Sequence, residues 1–123
     1  DLIPSAKIGH IGLYRDPETH EPVKYYCKMP PDIAERRVFV VDPMLATGLS
    51  MEVAYKALLS HGTPKCIHIA CLFGTPQSIA YLQENMPENV TLWCAVIDPV
   101  LNEKKYIVPG LGDAGDLCFG EKL

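Results

Sequence analysis

The sequence has no long apolar run: its longest, Cys66 to Phe73, is interrupted by His68 and falls far short of the about 20 residues a membrane-spanning helix needs. No membrane span is expected. The opening Asp1-Leu2-Ile3-Pro4 has neither a basic segment nor an apolar signal core, so no secretion or targeting signal is indicated. It also lacks an initiator methionine, which leads to the expectation of a processed chain or a fragment. Cysteine is sparse and unpaired in pattern. The five (Cys27, Cys66, Cys71, Cys94, Cys118) are odd in number and form no C-x-x-C motif, which argues against a disulfide framework or a zinc site. They read as reduced, mostly structural thiols of a cytoplasmic protein. Basic charge is in deficit too. Eleven Lys and Arg against fifteen Asp and Glu leave a net charge of -4, and the basic residues are scattered, so nucleic acid is not the expected partner and a small ligand fits better. His10, His20, His61 and His68 share no metal-ligand spacing, and no metal site is assigned. Internal repeats and low-complexity segments are missing as well.

What is present suits one compact domain over residues 1–123, with 48% hydrophobic and 21% charged residues. Strand-forming residues from Lys7 to Tyr14 and from Val23 to Met29 flank a polar, turn-rich stretch, Arg15 to Pro22, and predict an extended β-arm over 7–29. Pro30-Pro31 breaks the chain. Val38-Phe39-Val40-Val41 then reads as a buried strand. Met51, Ala54, Tyr55, Leu58 and Leu59 fall on one helical face, with Ser50 as its N-cap and Gly62 as a left-handed C-cap. A second strand is expected over Cys66–Phe73, followed by a helix capped by Thr75 with Pro76 at its first position and a stripe of Ile79, Leu82 and Met86. A third strand over Val90–Ile97 completes a βαβαβ core at 38–97. This alternation predicts the α/β class, a parallel sheet with flanking helices joined by right-handed crossovers. The tail, 98–123, turns irregular, and Asp98 and Glu103 read as surface or capping groups.

In an open parallel sheet ligands sit at the carboxyl ends of the strands, and Asp42 to Ser50 occupies such a place. Unpaired amides at the helix start suit a phosphate. Thr47 and Ser50 add hydroxyl donors, Gly48 permits close approach, and Asp42 at the strand tip can accept hydrogen bonds from a sugar's vicinal hydroxyls. An ordinary βα turn with a capped helix fits the same residues. Neither a Walker loop nor the dinucleotide fingerprint is present. Val41-Asp42-Pro43-Met44-Leu45-Ala46-Thr47-Gly48 resembles the phosphoribosyl diphosphate (PRPP) loop of uracil phosphoribosyltransferases, its single acid closer to that family than the paired acids of most other phosphoribosyltransferases. The resemblance implies PRPP binding by Asp42, Pro43, Met44, Leu45, Ala46, Thr47, Gly48, Leu49 and Ser50. Two departures stand out. Leu49 replaces the family's usual second glycine, and Thr75-Pro76-Gln77-Ser78 replaces an Ala-Pro-Glu-Gly-like helix start, which is read as structural.

Tyr106-Ile107-Val108-Pro109-Gly110-Leu111-Gly112-Asp113-Ala114-Gly115-Asp116 resembles the uracil-binding segment of the same family. Uracil offers an N3–H donor beside a carbonyl acceptor, which one backbone C=O and one N–H can meet. Cytosine reverses that polarity, a mismatch that can cost roughly 10⁴-fold. The resemblance implies that Ile107, Gly112, Asp113 and Ala114 form the uracil site, Asp113 facing the ribose of PRPP; without it, a glycine-rich turn is the plainer reading. Arg15 matches the arginine of the family's Tyr-Arg-x-x-Glu-Thr segment, which contacts the diphosphate donor. Asp42, Asp113 and Arg15 are then the catalytic set, and Mg²⁺ is expected with PRPP without a protein ligand. The resemblance covers about residues 8 to 120 and implies an incomplete type I phosphoribosyltransferase-like fold, since the family's Arg-Ala-Gly diphosphate loop has no counterpart. The implied activity is transfer of phosphoribose from PRPP to N1 of uracil, giving UMP and diphosphate, by a cytoplasmic homo-oligomer. The alternatives are a non-catalytic UMP- or PRPP-binding regulatory domain, such as that appended to some uridine kinases, and a structural or oligomerisation fragment.

Overall fold

The computed structural model describes residues 2–120. They form two compact units, one of residues 2–38 and Leu49–Cys66, the other of Phe39–Gly48 and residues 67–120.

In the first unit β1 (His10–Arg15) and β2 (Pro22–Lys28) form an antiparallel hairpin whose register runs from His10↔Lys28 to Arg15↔Pro22, with an irregularity between Gly12 and Leu13. The Tyr25 ring lies over Gly12, 2.6 Å from where a Cβ would stand. The polar tip is ordered by its own side chain. The Asp16 carboxylate accepts the amides of Glu18 and Thr19, each at 2.9 Å. The Thr19 amide and then the Glu18 amide hold its pKa below the ordinary carboxylate value. The helix α1 (Leu49–Leu59) buries Met51, Ala54, Ala57 and Leu58 and packs on both strands. Three of these four belong to the expected stripe. Ser50, expected as the N-cap, is instead the second helical residue, because the chain enters the helix at Gly48 and Leu49. Gly62 has the expected positive φ, +137°, and its amide bonds to the Leu59 carbonyl. After β2, Asp32 pairs with Arg36 at 2.6 Å and Lys7 at 3.0 Å, which holds its carboxyl well below the usual range, Arg36 contributing most.

The second unit carries the sheet. Its central strand, β5 (Cys66–Gly74), pairs with β3 (Arg37–Val41), β4 (Met44–Leu45) and β6 (Val90–Ile97). β4 and β6 run parallel to β5, with Met44 opposite Phe73 and Ile67↔Val90 continuing to Gly74↔Ile97. The α/β class and the parallel sheet expected from the alternation are present. In sequence α1 joins β4 to β5, and α2 (Pro76–Asn85) joins β5 to β6. One face of β5 buries Ile67, Ile69 and Cys71, and Leu82 of α2 is buried too. The other face is open. There Phe39 stacks on His68 at 4.9 Å and Trp93 donates to His68 Nδ1 at 3.3 Å, while Phe39 is 63% and Trp93 59% exposed. The expectation that Val38–Val41 is fully buried is therefore corrected: Phe39 and Val41 face solvent, since only one side of this sheet is covered. The tail also has more order than expected. β7 (Val100–Leu101) and β8 (Ile107–Val108) form a short antiparallel pair, and α3 (Ala114–Phe119) follows.

Candidate functional site

The carboxyl ends of the second unit's strands gather both loops singled out by the sequence. Asp42 follows β3. Its amide donates to the Ala70 carbonyl at 3.0 Å, and its Oδ1 accepts the Met44 amide at the same distance, so the carboxylate shapes the turn it stands in. Pro43 offers its carbonyl to the amides of Leu72 and Phe73. Leu45 and Ala46 are buried and anchor the loop from below, while Thr47 is half-buried. Gly48 has φ +89°, and a Cβ there would come within 2.9 Å of the Tyr81 ring, so this position needs glycine on two counts. Leu49, exposed, and Ser50, half-buried, open α1 and belong to the first unit.

The start of α2 braces this loop. Thr75 is the N-cap of a capping box: its hydroxyl accepts the Ser78 amide at 3.0 Å, and Ser78 Oγ accepts the Thr75 amide at 3.0 Å. The same Thr75 hydroxyl donates to the Ala46 carbonyl at 2.9 Å. Both side chains are buried. The reading of this helix start as structural agrees with the geometry, yet it missed the bond to Ala46, which spans 29 positions and leaves no local signal.

The glycine-rich tail is tied to the neighbouring residue. Asp98, directly after β6, is 7% exposed, which corrects its reading as a surface or capping group. Its amide donates to the Gly74 carbonyl at 2.9 Å, and its Oδ2 accepts the Gly110 amide at 3.0 Å. A buried carboxylate must find donors, and this one finds Gly110. An acid at the end of a predicted strand, the position Asp42 also holds, was the signal that could have marked it. Ile107 is 1% exposed. Gly110 needs its missing side chain, because a Cβ would lie 2.2 Å from the Ile107 carbonyl oxygen. Gly112 has φ +81° and open space around it. Asp113 caps α3, accepting the Asp116 amide at 3.0 Å, with the Tyr106 hydroxyl 3.5 Å from its Oδ2. Ala114 is the first residue of α3, where amides have no intrahelical acceptor. Thus Asp42 to Gly48, Ile107, Gly112, Asp113 and Ala114 share one unit, whereas Arg15, exposed at the end of β1, belongs to the other.

Neither the cavity nor the buried thiol of this unit competes as a site. The cavity, about 620 Å³, lies against α2 among Ile79, Leu82, Met86 and Leu92 and touches none of the loop residues above. Cys71 is pushed up to about 12, first by burial and then by Cys94 and the charge of Asp42, so it is a neutral thiol at ordinary pH and no nucleophile.

Loops at the carboxyl ends of a parallel sheet mark an α/β fold of the kind that holds ligands at that edge. The sequence model of the family described as uracil phosphoribosyltransferase matches residues 1–121. The chain is 56% identical over 122 residues to the uracil phosphoribosyltransferase of Agathobacter rectalis, covering 99% of this chain and 57% of that protein. It is 51% identical over 121 residues to that of Shouchella clausii, with 98% and 57% covered. Among solved structures, the AQ2163 protein from Aquifex aeolicus superimposes with a TM-score of 0.89 at 35% identity, covering 97% of this chain and 56% of that one. This chain belongs to the uracil phosphoribosyltransferase family. It spans 57% of the length of the curated relatives named here.

Proposed function

We propose that the protein to which this chain belongs transfers phosphoribose from PRPP to N1 of uracil. The observation that carries the reading is the shared brace of its two loops: adjacent residues Gly74 and Thr75 hold the Asp98–Gly110 tether on one side and the Ala46 carbonyl on the other. A phosphate-binding loop and a base-binding loop must keep a fixed separation to present C1 of the ribose to N1 of the base. The amides of residues 46–50 would receive the 5′-phosphate, and Asp42 would accept the ribose hydroxyls. The backbone of Ile107 and Ala114 would meet the N3–H and carbonyl edge of uracil, beside Gly112. In the reaction the C1–O bond to diphosphate breaks, its electron pair leaving with the diphosphate, while N1 of uracil forms the new bond to C1 and gives up its proton. Asp113 and Asp42 would offset the positive charge that develops on the ribose, and Arg15 the negative charge on the diphosphate.

Mg²⁺ is proposed as the companion of PRPP. Among the described residues no three His, Cys, Asp or Glu side chains converge to hold an ion. A cytoplasmic location and a homo-oligomeric state complete the proposal; among the described residues no helix is long and apolar enough to cross a membrane. A second reading is binding of UMP or PRPP without turnover. Calorimetric titration of the chain with PRPP, UMP and uracil, together with an assay of labelled UMP formation, tests both. Binding with turnover supports the transferase, binding alone supports the second reading, and no binding removes both.

A further inference from the structure

We infer that Asp98 is the positioning residue of the base loop: its buried carboxylate fixes the Gly110 amide and thereby sets where Ile107, Gly112 and Ala114 can meet uracil. The inference rests on the proposed uracil site and adds a residue outside the segment that resembles it.

Three observations converge on Asp98. Its backbone is held by the Gly74 carbonyl at the end of the central strand, so the side chain starts from a rigid point. Its Oδ2 accepts from the Gly110 amide at 3.0 Å across twelve positions of chain, a charge-assisted bond in a site only 7% exposed. Gly110 in turn sits against the carbonyl of Ile107, so closely that no Cβ fits, and Ile107 is one of the residues proposed to face the base. Pinning Gly110 therefore pins Ile107 from one side, while Gly112, two residues on, has φ +81° and open space where a side chain would stand. A backbone loop that recognises a base with one donor and one acceptor discriminates only if both stay in place, since a free loop would turn to suit cytosine. Asp98 touches neither base nor ribose in this arrangement; it acts through Gly110.

The test uses the full chain in three forms: wild type, Asp98→Ala and Asp98→Asn, the last keeping an acceptor oxygen without the charge. Uracil, cytosine and PRPP are titrated separately by calorimetry, and exchange of the Gly110 amide is followed by NMR. The expected result is a loss of uracil affinity of about tenfold or more in Asp98→Ala, with PRPP affinity unchanged and the uracil-over-cytosine preference reduced. Asp98→Asn should recover most of the loss. Equal weakening of uracil and PRPP would indicate general damage and overturn the inference, as would wild-type uracil binding by a folded Asp98→Ala. Should Asp98→Ala fail to fold, the Gly110 amide decides: slow exchange in wild type and Asp98→Asn is expected, and exchange at the rate of an open loop in wild type overturns the tether. If wild type binds PRPP but no uracil, the base site and this inference fall together while the phosphate site stands; if it binds neither, the proposed function itself fails.

Discussion

Removing one hydroxyl at the start of α2 should loosen the phosphate loop that it holds. In Thr75→Ala the helix loses its N-cap, because Ser78 no longer finds the hydroxyl that accepts its amide at 3.0 Å, a loss of about 1 kcal/mol. The Ala46 carbonyl loses the donor at 2.9 Å, and leaving such a buried acceptor unmet costs about 1–3 kcal/mol. Because Thr75 is 2% exposed, water cannot replace the hydroxyl without opening the junction. The sum is about 2–4 kcal/mol, which for a chain of this size lowers the melting temperature by on the order of 10 °C. Thermal unfolding followed by circular dichroism measures it, with Thr75→Ser as the companion variant, since serine keeps the hydroxyl and should stay within about 1 kcal/mol of wild type. Where the variant remains folded, PRPP binding should weaken with stability, because Ala46 lies in the phosphate loop. A fall below about 0.5 kcal/mol in Thr75→Ala, or an equal fall in Thr75→Ser, would refute the brace.

Asp42→Asn should weaken UMP and PRPP binding while leaving the melting temperature within a few degrees, since the amide oxygen can still accept from Met44; unchanged affinity by calorimetry removes Asp42 from the sugar site. Ala114→Pro should abolish uracil binding and spare PRPP, because proline at the first helical position suits α3 and deletes only an amide. Titration of both ligands checks it, and wild-type uracil affinity would show that the base is held elsewhere. Iodoacetamide at pH 8 should label exposed Cys118 well before Cys71, whose pKa burial raises to about 12; because the thiolate is the nucleophile, Cys71 should stay slow until the pH approaches that value. Equal labelling rates by mass spectrometry would contradict the burial.

Local chemistry made the elements legible and left their faces hidden. Val90–Ile97 was readable residue for residue because eight strand formers stand between Pro87 and Pro99, and Thr75-Pro76 announced its helix through capping. The stripe of α1 was readable from its period. What the sequence could not tell was which side of the sheet is covered. Four consecutive apolar residues at Val38–Val41 read as burial on both faces, whereas Phe39 and Val41 lie open and only alternate positions are shielded. Ser50 failed as a cap for a related reason: a serine ahead of an apolar stripe is a good cap signal, but the chain turns at Gly48, with its positive φ, and the helix starts at Leu49, two residues before the Met51 start that a Ser50 cap implies. The bonds that organise the site, Thr75 to Ala46 and Asp98 to Gly110, cross 29 and 12 positions, so neither belongs to a helical, strand or turn pattern that local sequence announces.

The open face has a consequence for behaviour in solution. Phe39 and Val41 on β3, Leu72 on β5 and Trp93 on β6 are each more than half exposed, and the stack of Phe39 on His68 beside Trp93 makes one continuous apolar surface across three strands. A protein rarely leaves such a surface to water. Self-association of the 123 residues is therefore expected. Analytical ultracentrifugation across a concentration series should show association, and Phe39→Ser with Trp93→Ser should return it toward monomer, because together they remove the two largest rings of the patch. The pair of substitutions lies on the face opposite Ile67, Ile69 and Cys71, so the melting temperature should change little. A wild-type chain that stays monomeric at high concentration would mean that this face tolerates water, and the apolar argument would fail.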